Sequence, residues 1–360
     1  MAVTTTDSAA GEDRVLSFRF PELTERLPPP RVHPLADREA ARSNARCRDQ
    51  LRGLLPDDTA MERFIAQQIS LTPLYVCPDA RPDRVGIVCD VYQLFAVTDD
   101  LFDDLPPADR TPSMAHALLD PIRASLEGDG AAPADAPDYL MPVISLLRRL
   151  AEDMTAPQRQ RLAAGLAEHA EGCVADVQMC TDGSVTDFDT SLQAHMGSSL
   201  GWPVMLMIEY GLGIDASHEL DTCPVLHRAV ELAIQHALLV NDLFSYRKEL
   251  FQGDAALNLI SVFRDHENLT LQQAVDRLCD RILGTERELY AAHDAVLASP
   301  AGNQPHVRAY LHALEMFCTG YVRWCFISQR YNGPGHTGSA IPSGIMTLYP
   351  DRTEYTAQPN

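Results

Sequence analysis

Along the chain, apolar residues recur three and four positions apart in long stretches, separated by short polar segments rich in Pro, Gly and Asp. The spacing predicts helices over 37–55, 58–74, 83–102, 111–126, 137–153, 156–179, 191–211, 223–251, 271–298 and 305–329. Alternating β-branched runs between turn signals are scarce, and no strand is predicted. There is no internal repeat and no low-complexity segment. Helices this many, this long and this apolar imply an all-α fold, one large bundle with some helices buried on most sides. Residues 1–30 end in Pro28, Pro29 and Pro30 and read as a flexible segment, while residues 332–360, rich in Gly, Pro, Ser and Thr, read as a tail or lid.

Composition narrows the partners. The 360 residues are 46% hydrophobic, ample for a large core, and carry 29 basic against 50 acidic side chains, a formal charge of −21. Neither nucleic acid nor an anionic membrane would approach such a surface unaided. An anionic substrate would need metal ions or a local basic pocket. Residues 1–14 lack the basic start and apolar stretch of a signal peptide. The most apolar run, 201–214, is short and interrupted by Glu209, so no membrane span is expected. Nine cysteines show no CxxC pairing, and Cys89, Cys173 and Cys325 fall inside predicted helices. They read as reduced, buried thiols of a cytoplasmic protein.

The candidate chemistry begins at Asp99, Asp100, Leu101, Phe102, Asp103 and Asp104. The preceding stretch, with Val85, Ile87, Val88, Val91, Leu94, Phe95 and Ala96, reads as a buried helix, so the acidic cluster sits where a core helix emerges. Carboxylates one turn apart repel by roughly 0.2–0.5 kcal/mol a pair. A helix C-terminus disfavours anions further. A cluster placed against both effects suggests a compensating cation. Hard oxygen ligands suit Mg²⁺, held by one or two carboxylates with waters and substrate phosphates completing the shell. The alternative is an acidic turn left in water.

A second constellation lies in the helix predicted over 223–251. Asn241, Ser245 and Glu249 stand at i, i+4 and i+8 and form a ladder along one helix face. An amide oxygen, a hydroxyl and a carboxylate in a row are all hard donors, able to surround one Mg²⁺. Alone they could be a polar stripe. Two oxygen-rich helix faces in one acidic, all-helical chain can instead oppose each other across a bundle and hold metals between them.

Together these features resemble the class I terpene cyclases (terpene synthases) of the bacterial type. Asp99, Asp100 and Asp103 match the family's aspartate-rich element, and Asn241, Ser245 and Glu249 its Asn-Ser-Glu triad, with Lys248 before the glutamate. Arg330 and Tyr331 match its arginine–tyrosine pair near the C-terminus. The resemblance implies a single-domain class I terpene synthase-like α-helical bundle, the α-domain over residues 31–331, around a central apolar cavity. It implies a carbon–oxygen lyase acting on diphosphates. Three Mg²⁺ ions, with Mn²⁺ as the alternative, would bind the diphosphate of a linear isoprenyl substrate. Closure would add Lys248, Arg330 and Tyr331 as diphosphate donors. Neutralising the leaving group promotes ionisation to an allylic cation, which the apolar pocket shapes and keeps dry. No nucleophile is required, and no G-x-S-x-G, H-E-x-x-H or P-loop pattern appears.

One departure stands out. The family's diphosphate-sensing arginine falls on or beside His195, and residues 162–227 contain no Lys or Arg. With an ordinary pKa near 6.5, a histidine is a conditional cation. Met196, Gly197, Ser198, Ser199, Leu200 and Gly201 would supply the helix break whose carbonyl lies near the reacting carbon, with Ser199 at its centre. The family's usual linker acid is missing.

Phe95, Trp202, Phe317, Tyr321 and Trp324 are candidates for the pocket wall, where aromatic faces stabilise cations. Ala96 stands beside Phe95 where the family often has bulk. The extra room favours geranylgeranyl diphosphate over farnesyl diphosphate. Three alternatives remain: a sesquiterpene cyclase on farnesyl diphosphate, a chain-elongating prenyltransferase, and a non-catalytic helical scaffold. Elongation is disfavoured, because a second Asp-Asp-x-x-Asp is expected where Asn241, Ser245 and Glu249 stand. A homodimer is an open expectation, since dimers are common among similar proteins.

Overall fold

The structure, a computed structural model, describes residues 15–103, 111, 113, 120–124, 126, 137–182, 187–252 and 255–357. Its helices are α1 (Ala36–Gln50), α2 (Asp58–Ala66), α3 (Thr72–Val76), α4 (Val85–Asp103), α5 (Met141–Glu152), α6 (Ala156–Asp182), α7 (Phe188–Ser198), α8 (Gly201–Leu212), α9 (Ser217–Thr222), α10 (Pro224–Gln252), α11 (Leu259–His266), α12 (Leu271–Ala298), α13 (Pro305–Ile327) and α14 (Gln329–Asn332). The all-α expectation holds. Of the helix expected over 111–126, residues 113 and 120–124 are helical within the described residues, and most of the rest lies outside them.

Local chemistry sets many of the boundaries. Asp57 caps α2 by accepting from the Ala60 amide at 2.7 Å, and Asp187 caps α7 through Thr190. Thr270 and Gln273 form a capping box at the start of α12. Gly213, at φ 73°, closes α8 in the left-handed conformation that a side chain would strain.

Helix α10 is the axis of the bundle. It packs along α12 and α13 and also meets α7, α8, α9, α11 and α14. Leu226, Ala229, Val230, Leu232, Ala233, Leu239, Val240, Leu243 and Tyr246 are all buried on it, so several faces are covered at once. That agrees with the expectation that some helices are buried on most sides.

Two expected helices are broken. The stretch 58–74 divides because Gln68 takes a left-handed conformation, φ 63°. The stretch 191–211 divides at Ser199, which is extended between α7 and α8.

The absence of strands is corrected. Three five-residue strands, β1 (Leu16–Phe20), β2 (Gly344–Leu348) and β3 (Thr353–Ala357), form one antiparallel sheet in the order β1-β2-β3. Leu16 pairs with Leu348 and Leu348 with Thr353. The segments 1–30 and 332–360, read as a flexible start and a tail or lid, thus meet over their described residues. Each strand is too short and too mixed to be seen alone. The sheet is held by its inner face, where Phe18, Phe20, Met346 and Leu348 are buried. Phe326 links it to the bundle, 5.9 Å from the ring of Phe20, 5.2 Å from Tyr355 and 4.8 Å from Phe244.

Candidate active site

Helix α4 delivers Asp99 and Asp100 at its last turn, as its apolar stretch predicts. Asp100 is buried and Asp99 is about half exposed. The side chain of Asp103 lies outside the described residues. Arg330, on α14, brings Nη1 to 2.8 and 2.9 Å from the two Asp100 oxygens and Nη2 to 3.3 Å from Asp99. Lys248 reaches across from α10, with Nζ 3.4 Å from Asp100 Oδ1. Burial opposes the charge on Asp100, yet Arg330 and Lys248 outweigh it and hold the carboxyl below its usual range. The end of α4, the far half of α10 and α14 therefore meet at one place.

The ladder on α10 faces the same region. Asn241 donates through Nδ2 to the hydroxyls of Tyr331 at 2.7 Å and Tyr321 at 3.0 Å, which aims its amide oxygen away from them. Glu249 accepts from Asn258 Nδ2 at 2.8 Å, and the same amide donates to the carbonyl of Asp242 at 2.9 Å. Ser245 also bonds Glu249, and with Asn258 it counters the burial that pushes this carboxyl above its usual range. Asn258 caps α11 through the amide of Ile260 at 3.0 Å. It was missed in the sequence because nothing there says that residue 258 folds back beside residue 249.

His195, half-buried at the end of α7, has Nδ1 3.8 Å from Asp242 Oδ1. Burial disfavours its charge, but Asp242, Asp176, Glu249 and Asp99 together raise its pKa above the ordinary value. Asp242 accepts the amide of Leu259 at 2.7 Å, and burial drives its own pKa up to about 7. His195 thus faces carboxylates from both oxygen-bearing helices, the neighbourhood a conditional cation needs.

The break at Gln68 also serves this site. Gln67 Oε1 accepts from Arg330 Nη1 at 2.8 Å, the Gln67 carbonyl from Ser328 Oγ at 2.7 Å, and the Gln68 carbonyl from Trp324 Nε1 at 3.1 Å. From behind, Arg247 donates to the carbonyls of Tyr331 at 3.0 Å and Pro350 at 2.9 Å. Asn332 holds the carbonyls of Cys325 and Ser328, each at 2.8 Å. Helix α14 is therefore seated rigidly between the bundle and the sheet.

The candidate wall residues separate into groups. Phe317, Tyr321 and Trp324 line one face of α13, with ring centroids 6.2 and 5.7 Å apart along the series, and Trp324 lies 5.5 Å from Tyr331. Tyr321 ties this face to Asn241. Phe95 is buried one turn before Asp99, with Ala96 half-buried beside it. Trp202 packs instead on His227, at 4.8 Å. That places it roughly 20 Å down α10 from Asn241, at 1.5 Å per residue. The two cavities described, of about 550 and 450 Å³, are lined by residues such as Arg19 and Asp276, and Arg123 and Ala163, far from this chemistry.

As a donor set for a divalent ion, these residues fit. Two carboxylates at the end of α4 and an amide, a hydroxyl and a carboxylate on α10 are hard oxygens, and Asp242 Oδ1 is buried without a hydrogen-bond partner beside them. Among the described residues no three His, Cys, Asp or Glu side chains converge into a metal cage. That agrees with a set that relies on Asn241 and Ser245 and whose aspartates are tied to Arg330. Also among the described residues, no helix is long and apolar enough to cross a membrane.

Comparison with known proteins agrees with this geometry. The family model "Terpene synthase family 2, C-terminal metal binding" matches residues 90–288, a span that includes Asp99, His195 and the ladder on α10. Microbial terpene synthase-like protein 13 of Selaginella moellendorffii is 26% identical over 330 residues, covering 91% of each chain. A (3S,6E)-nerolidol synthase of the same organism is 26% identical over 309 residues, covering 83% of this chain and 81% of its own. Among solved structures, the linalool/nerolidol synthase of Streptomyces clavuligerus in complex with 2-fluorogeranyl diphosphate superposes with a TM-score of 0.70 at 22% identity, covering 84% of this chain and 98% of that one. This last likeness shows the fold.

Proposed function

The chain belongs to terpene synthase family 2, whose members are lyases acting on diphosphates, and from that premise we propose that it is a class I terpene cyclase. Its reaction is the Mg²⁺-dependent ionisation of a linear isoprenyl diphosphate, followed by cyclisation of the cation to a terpene hydrocarbon or alcohol with release of diphosphate. The observation that carries the reading is the contact of Lys248 and Arg330 with Asp100, which draws α4, α10 and α14 together at one mouth.

Mg²⁺, or Mn²⁺ in its place, would be held by Asp99, Asp100 and Asp103 on α4 and by Asn241, Ser245 and Glu249 on α10, supplying the positive charge that binds the diphosphate and stabilises it as a leaving group. The chain's own cations do the same work from the other side. Arg330 offers a planar fork to phosphate oxygens, and Lys248 a compact charge. Both already point at the place where an anion would enter. Tyr331 bonds Asn241 and so orients that amide for a metal. His195, among four carboxylates, supplies a further proton or positive charge near the leaving group. The α13 aromatics carry negative ring faces toward the developing cation, and the dry interior limits capture by water.

Geranylgeranyl diphosphate is the favoured substrate because Ala96 leaves room beside Phe95, with farnesyl diphosphate as the alternative. A cytoplasmic location fits the eight free thiols among the described residues. The test is incubation with C10, C15, C20 and C25 diphosphates and Mg²⁺, reading released diphosphate and analysing the extract by gas chromatography–mass spectrometry. A cyclic product from one chain length supports the reading. A helical scaffold would release no diphosphate from any of them.

A further inference from the structure

Helix α6 carries a histidine that neither metal motif uses. His169 is fully buried, and its Nδ1 lies 2.5 Å from the carbonyl oxygen of Ser198, the last residue of α7. A carbonyl only accepts, so Nδ1 carries the hydrogen. Burial keeps the ring neutral, lowering its pKa against the opposing charge of Asp99. One turn further along α6, Gly172 faces the preceding peptide, between Gly197 and Ser198. A Cβ there would lie 2.4 Å from Gly197 C and from Ser198 N. Helix α6 therefore offers a socket and a latch, at i+3 and i, to the two consecutive peptide units that flank the Ser198 Cα.

Those two peptides close the turn that carries His195. The His195 carbonyl accepts from the Ser199 amide at 3.0 Å and from Ser198 Oγ at 3.3 Å. Ser199 Oγ bonds the Met196 carbonyl at 2.9 Å and receives the Gly201 amide at 3.2 Å. The serines thus stitch the break internally, while His169 alone among these contacts fastens it to another helix. A helix end leaves carbonyls unsatisfied, and a fixed donor decides where such an end comes to rest.

We propose that His169 is a positioning residue for the reaction. Through the Ser198 carbonyl it holds the α7–α8 break, and with it His195, in register with the acidic end of α4. The proposal rests on the cyclase reading and gives the chain a fastening for the break that does not run through a linker acid. Substrate grip belongs to Arg330, Lys248 and the metal ligands, all on other elements, so loss of the latch should act on turnover more than on binding.

Two substitutions test this. His169→Leu keeps bulk and removes the donor, whereas His169→Asn places an amide N–H close to the position of Nδ1. Steady-state diphosphate release, product distribution and amide hydrogen exchange of the ligand-free protein are measured for both. In His169→Leu, kcat should fall roughly 10- to 100-fold, the scale expected from a small misplacement of positioned groups. KM should stay within about threefold, and the amides of residues 199–204 should exchange faster; His169→Asn should recover most of both effects. Wild-type exchange and kcat in His169→Leu would overturn the proposal, as would a loss that His169→Asn does not relieve. If His169→Leu does not fold, His169→Gln, whose nitrogen sits where Nε2 was, takes its place, and equal kcat in the Asn and Gln variants overturns the latch. A wild-type protein that releases no diphosphate would instead sink the cyclase reading, leaving the exchange measurement to judge the latch by itself.

Discussion

Arg330 grips both oxygens of Asp100, at 2.8 and 2.9 Å, in a contact where both side chains are about 90% buried. The family resemblance gives these residues opposite partners, a metal for the aspartate and a diphosphate for the arginine. Without either ligand they neutralise each other. Metal entering alone must displace Arg330 and Lys248 from Asp100, whereas metal with diphosphate gives every charge a new partner.

Binding should therefore be strongly coupled. Inorganic diphosphate is expected to tighten Mg²⁺ binding by roughly 5- to 150-fold, the usual range of coupling between sites. Arg330→Met should strengthen the binding of Mg²⁺ alone and erase most of that coupling. Calorimetric titration of Mg²⁺ with and without diphosphate reads both effects, and independent binding would refute the arrangement.

The aspartates should behave differently from one another. Asp99→Ala removes a half-exposed carboxylate from the proposed donor set, so diphosphate release should be abolished while circular dichroism and thermal stability stay near wild type. Asn241→Ala should likewise abolish turnover. Asp100→Ala leaves two buried cations short of a partner and should also cost about 3–5 kcal/mol of stability. Urea unfolding distinguishes them, and equal stability of the two aspartate variants would count against the buried pair.

Asn258→Ala should loosen Glu249. Removing a partner that orients a ligand typically weakens metal binding 10- to 100-fold. The lost cap of α11 should add about 1 kcal/mol of destabilisation. Mn²⁺ titration followed by electron paramagnetic resonance measures the affinity, and wild-type affinity would show that Ser245 alone suffices to hold the carboxylate.

His195→Phe should lower diphosphate release and leave metal affinity intact, because the ring faces carboxylates without belonging to the donor set. Full activity in this variant would remove the charge-supplying role. A fall in metal affinity equal to the fall in rate would make His195 part of the donor set instead.

Acid stability offers a separate check, on a buried residue that neither oxygen-bearing motif uses. His236 is fully buried with neither ring nitrogen hydrogen-bonded, and burial lowers its pKa from 6.5 to about 4. A depressed folded pKa gives stability that is whole above the unfolded value and lost as pH falls through the folded one. Its loss between pH 6.5 and 4 amounts to roughly 3 kcal/mol. Asp242, with its pKa raised to about 7, runs the other way, losing stability as pH rises through the same window. The comparison that isolates the histidine is thus His236→Leu against wild type, which should be relatively more stable at pH 4.5 than at pH 7.5. Parallel curves would show that the ring takes up its proton in the fold as readily as in the unfolded chain.

Legibility in the sequence followed distance along the chain. Asn241, Ser245 and Glu249 announce themselves because four-residue spacing is a helix face, and Asp99 and Asp100 because a buried helix ends on them. The relations that were not visible join residues from different segments. His169 meets Ser198 across two helices, Asn258 folds back on Glu249, and Gln67 supports Arg330 from 263 residues away. The Gln68 break carries no Gly or Pro to mark it and follows from tertiary fit. The strands escaped notice for a related reason: five residues have little periodicity of their own, and their partners are remote.

The sheet has a consequence for how the protein is made. Ser17 meets Thr347 across 330 residues, so the first strand leaves the ribosome long before anything exists for it to pair with. Contacts of such separation form late and slowly. Arg330 lies on the short helix seated against the last strand, and it cannot be fastened until that strand arrives. A nascent chain therefore carries its acidic helix end without the cation that covers it in the finished molecule, and closing the two termini is also what arms the mouth of the bundle.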